Sequence, residues 1–180
     1  LNAQSGESSI DLDSFGWMLT NSFNLGYWQT NRPEVRVSGG ALTTRLFPVS
    51  ISNEAWSVVT LQGVTGEVSD ASGFNVGWRG GTGSVILADS QTSLRTFGGG
   101  THTIGDGAGS EGTVSVIGGF LGMTGTVQFG KSGGLGTLNI AGGTNLVSGA
   151  LYFGRDAGSR GILTMSEPSA YLSAGLNMGD

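Results

Sequence analysis

The sequence has no cysteine and only one lysine, Lys131, among its 180 residues. The absence of cysteine excludes disulfide bridges and cysteine-ligated zinc sites. With no basic run and a net charge of −5, the chain also lacks the positive footprint of a nucleic-acid-binding protein. No stretch approaches the roughly 18 apolar residues of a transmembrane helix, so we expect no membrane span in this segment. No signal peptide is recognisable at Leu1, as expected of a mature or excised piece.

Glycine, by contrast, is very abundant, with 35 residues in the chain. An average protein contains about 7% glycine. There is no Gly-X-Y period, which excludes a collagen triple helix. Hydrophobic residues make up 37% of the chain, more than a disordered glycine-rich linker carries. The composition therefore indicates a folded chain in which glycine has a repeated structural role.

A short repeat runs through the whole chain, and it is clearest around Gly154 in "FGRDAG". We call this position the marker. Equivalent positions recur at nearly regular intervals, at Gly26, Ser50, Gly77, Gly105, Gly130, Gly154 and Gly179. The first and third residues before the marker are apolar in nearly every copy, and the residue between them is usually polar. This alternation is typical of a strand with one buried face.

A second alternating strand follows each marker. It occurs at Val35–Val37, Val59–Leu61, Val85–Leu87, Val114–Val116, Leu138–Ile140 and Leu163–Met165. A third, less regular apolar position comes after it, at Val68, Phe97, Leu121, Leu146 and Leu172. One such unit cannot bury its apolar faces, whereas stacked units bury them in a continuous column.

The sequence therefore predicts an all-β fold, a right-handed parallel β-helix of six to seven rungs with about 25 residues in each rung. Hairpins of a β-sandwich would show paired turn signals such as Asn-Gly between adjacent strands, and no Asn-Gly occurs here. We expect residues 1–25 to form an N-terminal extension and the first half-rung. Residues 26–180 form the β-helix repeats, in a single domain with the preceding part.

The stretch from "FGKSGGLGTLNIAGGTNLVSGALYFG" to the end of the chain resembles the glycine-rich repeat of type V secretion (autotransporter) passengers and PEP-CTERM-associated exported proteins. The shared pattern is a glycine-bracketed loop, "GTLxI", a "GG" corner and a further apolar strand. It covers residues 104–180 well, 57–103 loosely and 1–56 weakly. The resemblance implies an extracellular or bacterial cell-surface location, and a role as a stalk, adhesive surface or scaffold.

Carboxylates in catalytic arrangement are missing from the predicted strand faces. Glycosidases need two carboxyl groups within about 10 Å. Asp106 and Asp180 share one position in the repeat, but three rungs place them about 14 Å apart. "GDGAGSEG" lacks the nine-residue period of calcium-binding repeats. We therefore predict no enzyme, no catalytic residue, no metal and no cofactor, with a polysaccharide-binding or polysaccharide-cleaving β-helix as the alternative.

The position after the marker carries charge in the later rungs, at Asp106, Lys131, Arg155 and Asp180. We interpret this corner charge ladder as exposed ion pairs, Asp106 with Lys131 and Arg155 with Asp180, which help to fix the register of the rungs. A ligand site is the alternative.

In the earlier rungs the same position holds Tyr27, Ile51 and Trp78, and no tryptophan follows Trp78 in the chain. Exposed aromatic side chains bind sugars or protein partners, so these three residues are a possible interface. Packing beneath an N-terminal extension is the other interpretation. His102, the single histidine, falls in the inward column between Phe74 and Val127, and we predict a core residue there.

The two ends suggest self-association. Aligning Leu12 with Val116 places Leu1 at the marker position, so the chain ends almost where its own start would continue the spiral. Head-to-tail stacking is a contact that does not close and therefore builds a fibre. The alternative is a segment of a longer solenoid. The predicted function is an extracellular structural or adhesive solenoid whose partners are other copies of itself, a surface glycan, or a protein of a host or neighbouring cell.

Overall fold

The computed structural model describes residues 16–26, 32–50 and 55–178, together with the backbone of residues 2–3 and 7–11. Every regular element in these residues is a β-strand, as the sequence predicts. In chain order the strands are β1 (Asn2–Ala3), β2 (Glu7–Asp11), β3 (Trp17–Ser22), β4 (Asn24–Leu25), β5 (Glu34–Ser38), β6 (Ala41–Val49), β7 (Trp56–Gln62), β8 (Thr65–Val68), β9 (Phe74–Trp78), β10 (Thr82–Leu87), β11 (Ser93–Thr96), β12 (Thr101–Asp106), β13 (Glu111–Val116), β14 (Phe120–Met123), β15 (Thr126–Lys131), β16 (Leu135–Ile140), β17 (Thr144–Phe153), β18 (Arg160–Met165) and β19 (Tyr171–Met178).

The strands form three stacks that wind around one core. Stack I is a seven-stranded sheet of β2, β5, β7, β10, β13, β16 and β18. Stack II contains β3, β6, β8, β11, β14, β17 and β19. Stack III contains β1, β4, β6, β9, β12, β15, β17 and β19. Stacks II and III join into one sheet because β6, β17 and β19 run through both of them.

All described pairings are parallel, and each joins a strand to its equivalent one rung away. In stack I, for example, Val114 pairs with Leu138 and Leu138 pairs with Leu163. The result is a β-solenoid of about six turns with equivalent positions about 25 residues apart. The parallel β-helix predicted from the repeat is confirmed.

The marker position has a left-handed backbone in every described rung. The φ angles are 64° at Gly26, 55° at Ser50, 67° at Gly77, 73° at Gly105, 75° at Gly130 and 63° at Gly154. Close approach is a second reason for glycine, since a Cβ on Gly105 would overlap the carbonyl oxygen of Leu135 in the next rung. At this corner the chain turns from stack III into stack I, and the backbones of neighbouring rungs are in contact.

A second column of small residues meets the marker from stack I. It contains Ser57, Gly83, Gly112, Gly136 and Gly161, which pair with one another from rung to rung. A Cβ on Gly136 would overlap the amide nitrogen of Gly130 in its own rung. The corner between stacks III and I is therefore narrow, and in the described rungs from Ser50 onward it holds no side chain larger than that of serine.

Inward-facing side chains form continuous columns in the core. Phe23, Phe47 and Phe74 stack with ring centroids 5.0 and 5.8 Å apart, and all three are fully buried. Phe129 and Phe153 stack in the same way at 5.1 Å. Stacked aromatic pairs of this kind add to the free energy gained by burying their area.

The prediction for the third side is wrong at two positions. Phe97 and Leu146 lie on the outside of the solenoid, 40% and 39% exposed. The buried position in the rung of Leu146 belongs to Asn145, which is paired with Leu121 and Leu172. Its side-chain amide donates to the carbonyl oxygen of Tyr171 at 3.0 Å.

The described part of residues 1–25 follows the same winding. β1 pairs with β4, β2 with β5, and β3 with β6, all in parallel. The register differs from the sequence alignment by two residues, because it is Ile10 rather than Leu12 that pairs with Val37. Ala3 pairs with Leu25, the residue before the marker, and Leu1, which the sequence alignment places at the marker position, lies outside the described residues.

In the last rung the inward-facing side chains are uncovered. Met165, Leu176 and Met178 continue the buried columns of Ile140, Leu151 and Phe153, but they are 46%, 51% and 62% exposed. The residues that the structure describes include no helix long and apolar enough to cross a membrane.

Candidate functional site

Two candidate regions lie at the corners of the solenoid, and the first is the marker corner predicted from the sequence. Trp78, Asp106 and Lys131 occupy equivalent positions in three successive rungs. Lys131 Nζ lies 2.9 Å from Asp106 Oδ2, so this predicted pair is present. The pair is not fully exposed as expected, since the side chains of Asp106 and Lys131 are 12% and 34% exposed. Partial burial strengthens the pair, because less water screens it.

The second predicted pair has a different arrangement. Arg155 Nε lies 4.0 Å from Asp156 Oδ1 in its own rung, and its guanidinium lies 5.1 Å from the centre of the Tyr152 ring. Asp180, the partner expected from the sequence, lies outside the described residues. Arg155 is therefore held at the outer surface by neighbours within its own rung.

Of the three aromatic and apolar residues predicted as an interface, Tyr27 and Ile51 lie outside the described residues. Trp78 is half-buried, and the guanidinium of Arg79 lies 4.2 Å from the centre of its ring. This cation–π contact covers one face of the indole. The indole therefore presents less free surface than the sequence suggests, and the interface stays a prediction.

His102 is a buried structural residue, as predicted. Its Nδ1 accepts a hydrogen bond from the backbone amide of Phe74 at 3.4 Å, and its Nε2 lies 3.1 Å from the carbonyl oxygen of Thr124. A carbonyl can only accept, so the proton belongs to Nε2. Burial lowers the pKa of His102 below its usual value, against the opposing effects of the Thr124 carbonyl and of the Asp70 carboxylate. The imidazole is held neutral between stacks II and III.

The second candidate region is a groove at the corner between stacks I and II, which sequence reasoning missed. The corner between β10 and β11 has five residues, 88–92, where the corner before β14, 117–119, has three. Asp89 organises this longer loop. Its Oδ1 accepts hydrogen bonds from the amides of Gln91 and Thr92 at 3.0 and 2.8 Å, and from the Thr92 hydroxyl at 2.8 Å.

The Asp89 carboxylate also joins two rungs, because Oδ1 accepts from the amide of Gly63 at 3.3 Å. Burial raises the pKa of Asp89, but the hydrogen bonds from Thr92, Gly63 and Gln91 together outweigh it and leave the pKa below its usual value. The group is therefore a carboxylate at neutral pH, and it fixes the loop as one wall of the groove.

The opposite wall of the groove is the Trp17 side chain, which is 67% exposed. The floor is the glycine backbone of Gly39, Gly40 and Gly63. The groove is open to solvent and has a volume of about 860 Å³, within the range of small-molecule and cofactor sites. Besides Asp89, the walls carry the exposed side chains of Gln62 and Gln91.

One sequence signal could have revealed this loop. The interval from one marker to the next is longer between Gly77 and Gly105 than between Gly130 and Gly154. The additional residues had to lie at a corner, because the strands of neighbouring rungs keep their register. Spacing alone does not say which corner receives them or which side chains they bring together.

Within the described ranges, no group of three or more histidine, cysteine, aspartate or glutamate residues is placed to hold a metal ion. Comparison of the chain with models of known protein families gives no match, and neither do comparisons with curated proteins and with solved structures.

Proposed function

We propose that the chain is an extracellular or cell-surface structural solenoid without catalytic activity that associates end to end. The observation that carries this proposal is the continuous parallel stacking of the rungs over one apolar core. The export location is supported by the resemblance of residues 104–180 to repeats of autotransporter passengers and PEP-CTERM-associated proteins.

The last rung combines exposed apolar side chains with open strand edges. Met165, Leu176 and Met178 are exposed, whereas the equivalent side chains of the rung before are buried. β18 pairs only with β16, and β19 only with β17, among the described strands. An edge of this kind has free N–H and C=O groups that pair with a further parallel strand.

The first rung offers a matching edge. β2 pairs only with β5, and β3 only with β6, within the described part of the chain. Through the register of the stacks, Ile10 falls in the column of Met165, and Met18 falls in the column of Leu172. If the first rung of a second copy is placed on the last rung of the first copy, apolar residues of one copy lie against apolar residues of the other. Because the two surfaces are different, the contact repeats and builds a filament.

Sedimentation velocity and electron microscopy of the purified chain at rising concentration test this proposal. We expect particles that lengthen with concentration, and a double variant Leu176→Lys/Met178→Lys that stays discrete. Ile117→Lys, at an exposed corner away from the ends, is the matched control and should associate normally. Circular dichroism checks that the variants are folded. Discrete short rods of the unaltered chain at every concentration would overturn the proposal.

A polysaccharide-cleavage assay tests the proposed absence of catalytic activity. Incubation of the chain with surface polysaccharides should release no new reducing ends. Their appearance, and their loss on substitution of a carboxylate, would identify an enzyme.

Polysaccharide binding is a second candidate function, and the corner groove favours it. The groove combines one exposed aromatic wall with a polar wall and a backbone floor. The groove lies away from the last rung, although Trp17 belongs to β3 at the edge of the first rung.

A further inference from the structure

We propose that the groove between Trp17 and the Asp89 loop binds a neutral polysaccharide chain that lies along the solenoid axis. The inference rests on the second candidate function and is tested separately from end-to-end association. Its residues lie at a corner of the first four rungs, away from the uncovered last rung.

The groove has the length and direction of an extended chain. Trp17 pairs with Ala41, Ala41 with Thr65, and Thr65 with Ser93, so its two walls are three rungs apart. Three strand spacings correspond to about 14 Å. Between the walls lie the backbone of Gly39, Gly40 and Gly63 and the short side chains of Ala41 and Thr65. A ligand can therefore lie close to the backbone across several rungs.

Trp17 provides the stacking surface. Its indole is 67% exposed and makes no ring contact with another described residue. Trp78, by comparison, is already covered by Arg79. An aromatic face held beside polar groups suits the apolar face of a sugar ring, whose hydroxyl groups point outward from its edge.

The opposite wall offers hydrogen bonds that the fold does not use. Asp89 Oδ1 is occupied by loop and backbone donors, whereas Oδ2 makes no hydrogen bond within the described residues. The side-chain amides of Gln62 and Gln91 are exposed, and neither bonds to another described residue. An amide both donates and accepts, and a carboxylate accepts, which together match the hydroxyl groups of a sugar.

Charge selects a neutral ligand. Among the described residues, Asp89 is the only charged side chain that lines the groove, so an anionic polysaccharide is repelled. A single carboxylate is too few ligands for a divalent cation. A peptide strand is disfavoured too, because the groove lies at a corner, where the adjoining strands are already paired with the rungs above and below.

Binding of defined oligosaccharides tests the inference. The probes are hexasaccharides of β-1,3-glucan, β-1,4-glucan and mannan, with oligogalacturonate as the anionic comparison, at protein concentrations where sedimentation shows no association. We expect at least one neutral probe to bind, with oligogalacturonate weaker. The indole fluorescence should change on binding, and the corresponding monosaccharide should bind at least about tenfold more weakly because it fills one part of the groove.

Three variants locate the site. Trp17→Ala should weaken binding about tenfold or more, and Gln91→Ala about fivefold. Asp89→Asn keeps the Oδ1 acceptor and removes the charge, so it should narrow the preference for neutral over anionic probes. Phe97→Ala removes an exposed aromatic outside the groove, and it should change affinity less than about twofold.

Two results would overturn the inference. One is the absence of measurable binding by every neutral probe. The other is binding that survives Trp17→Ala and Gln91→Ala unchanged in variants that circular dichroism shows to be folded. Absence of filaments of the unaltered chain at every concentration, with oligosaccharide binding intact, would contradict end-to-end association alone, so the two proposals fail separately.

Discussion

Ser50 and Ser57 lie at the same corner of one rung, at the two positions that glycine takes in later rungs. Ser50 has a left-handed φ of 55°, as Gly77 and Gly105 also have positive φ angles. The hydroxyl oxygens of both serines are buried and have no hydrogen-bond partner within the described part of the chain. This corner therefore keeps the glycine conformation without the residue that adopts it most easily.

Ser50→Gly should stabilise the protein by about 2 kcal/mol. Left-handed backbone costs a residue with a Cβ about 1–2 kcal/mol, and an unpaired buried hydroxyl adds a similar penalty. The greater freedom of glycine in the unfolded chain offsets about 0.5–1 kcal/mol. Urea denaturation measures the difference. A loss of stability would show that the Ser50 side chain makes a favourable contact at this corner.

Gly105→Ala should destabilise the protein by about 3 kcal/mol or more, since it adds overlap with Leu135 to the left-handed penalty. Gly109→Ala is the matched control. Gly109 has a similar φ of 75°, but no atom lies within 4 Å of its added Cβ, so we expect only about 1 kcal/mol. The difference in unfolding free energy between the two variants isolates the close approach of the rungs. Equal effects would contradict it.

Asp106 and Lys131 should show a coupling free energy of about 1 kcal/mol in a double-mutant cycle with Asp106→Asn and Lys131→Met. The comparison pair is Arg45 and Asp70, which are 3.7 Å apart and 58% and 36% exposed. There we expect about 0.3 kcal/mol or less. Coupling at Asp106–Lys131 no larger than at the exposed pair would remove this ion pair as a determinant of register.

Acid should destabilise the protein through His102. Burial holds its folded pKa below the unfolded value of about 6.5, so the unfolded chain takes up the proton first as the pH falls. The contribution of His102 to stability is fully present above the unfolded pKa. It is lost as the pH falls toward the folded pKa, at up to about 1.4 kcal/mol per pH unit.

Urea denaturation at pH 7.5 and at pH 5.5 measures this loss, with His102→Asn as the non-titrating comparison. The variant should be less stable at pH 7.5 and should lose less stability on acidification than the unaltered protein. Identical pH dependence of the two proteins would mean that other groups account for the acid sensitivity.

The fold was predictable because two features recur in every rung: the apolar alternation of the strands and the backbone geometry of the marker corner. Alternation before the marker identified the buried columns correctly, including the position of His102 between Phe74 and Val127. Ser50 was placed at the marker by its neighbours alone, and its φ confirms that position. Apolar alternation and backbone geometry at a corner repeat in every rung, so one residue that departs from the pattern does not hide them.

The third side was predictable only in part. β17 passes from stack II into stack III as one strand, Thr144–Phe153, and its pairing with β19 shifts register between Leu146 and Ala150. Hydrophobicity alone assigns Leu146 and Asn145 to the wrong faces, because the buried position holds the amide. The groove was missed for a related reason, since Trp17 and Gln91 come together through register across four rungs.

The parallel stacking also bears on how quickly the chain folds. Each strand pairs with one that lies about a single turn away in the sequence, as Val85 does with Val114 and Val114 with Leu138. The loop that must close for each new rung is therefore of nearly constant length, and its entropic penalty does not grow with the number of rungs. Relative contact order falls as such a chain becomes longer, so added turns extend the rod without imposing slower long-range closures on folding.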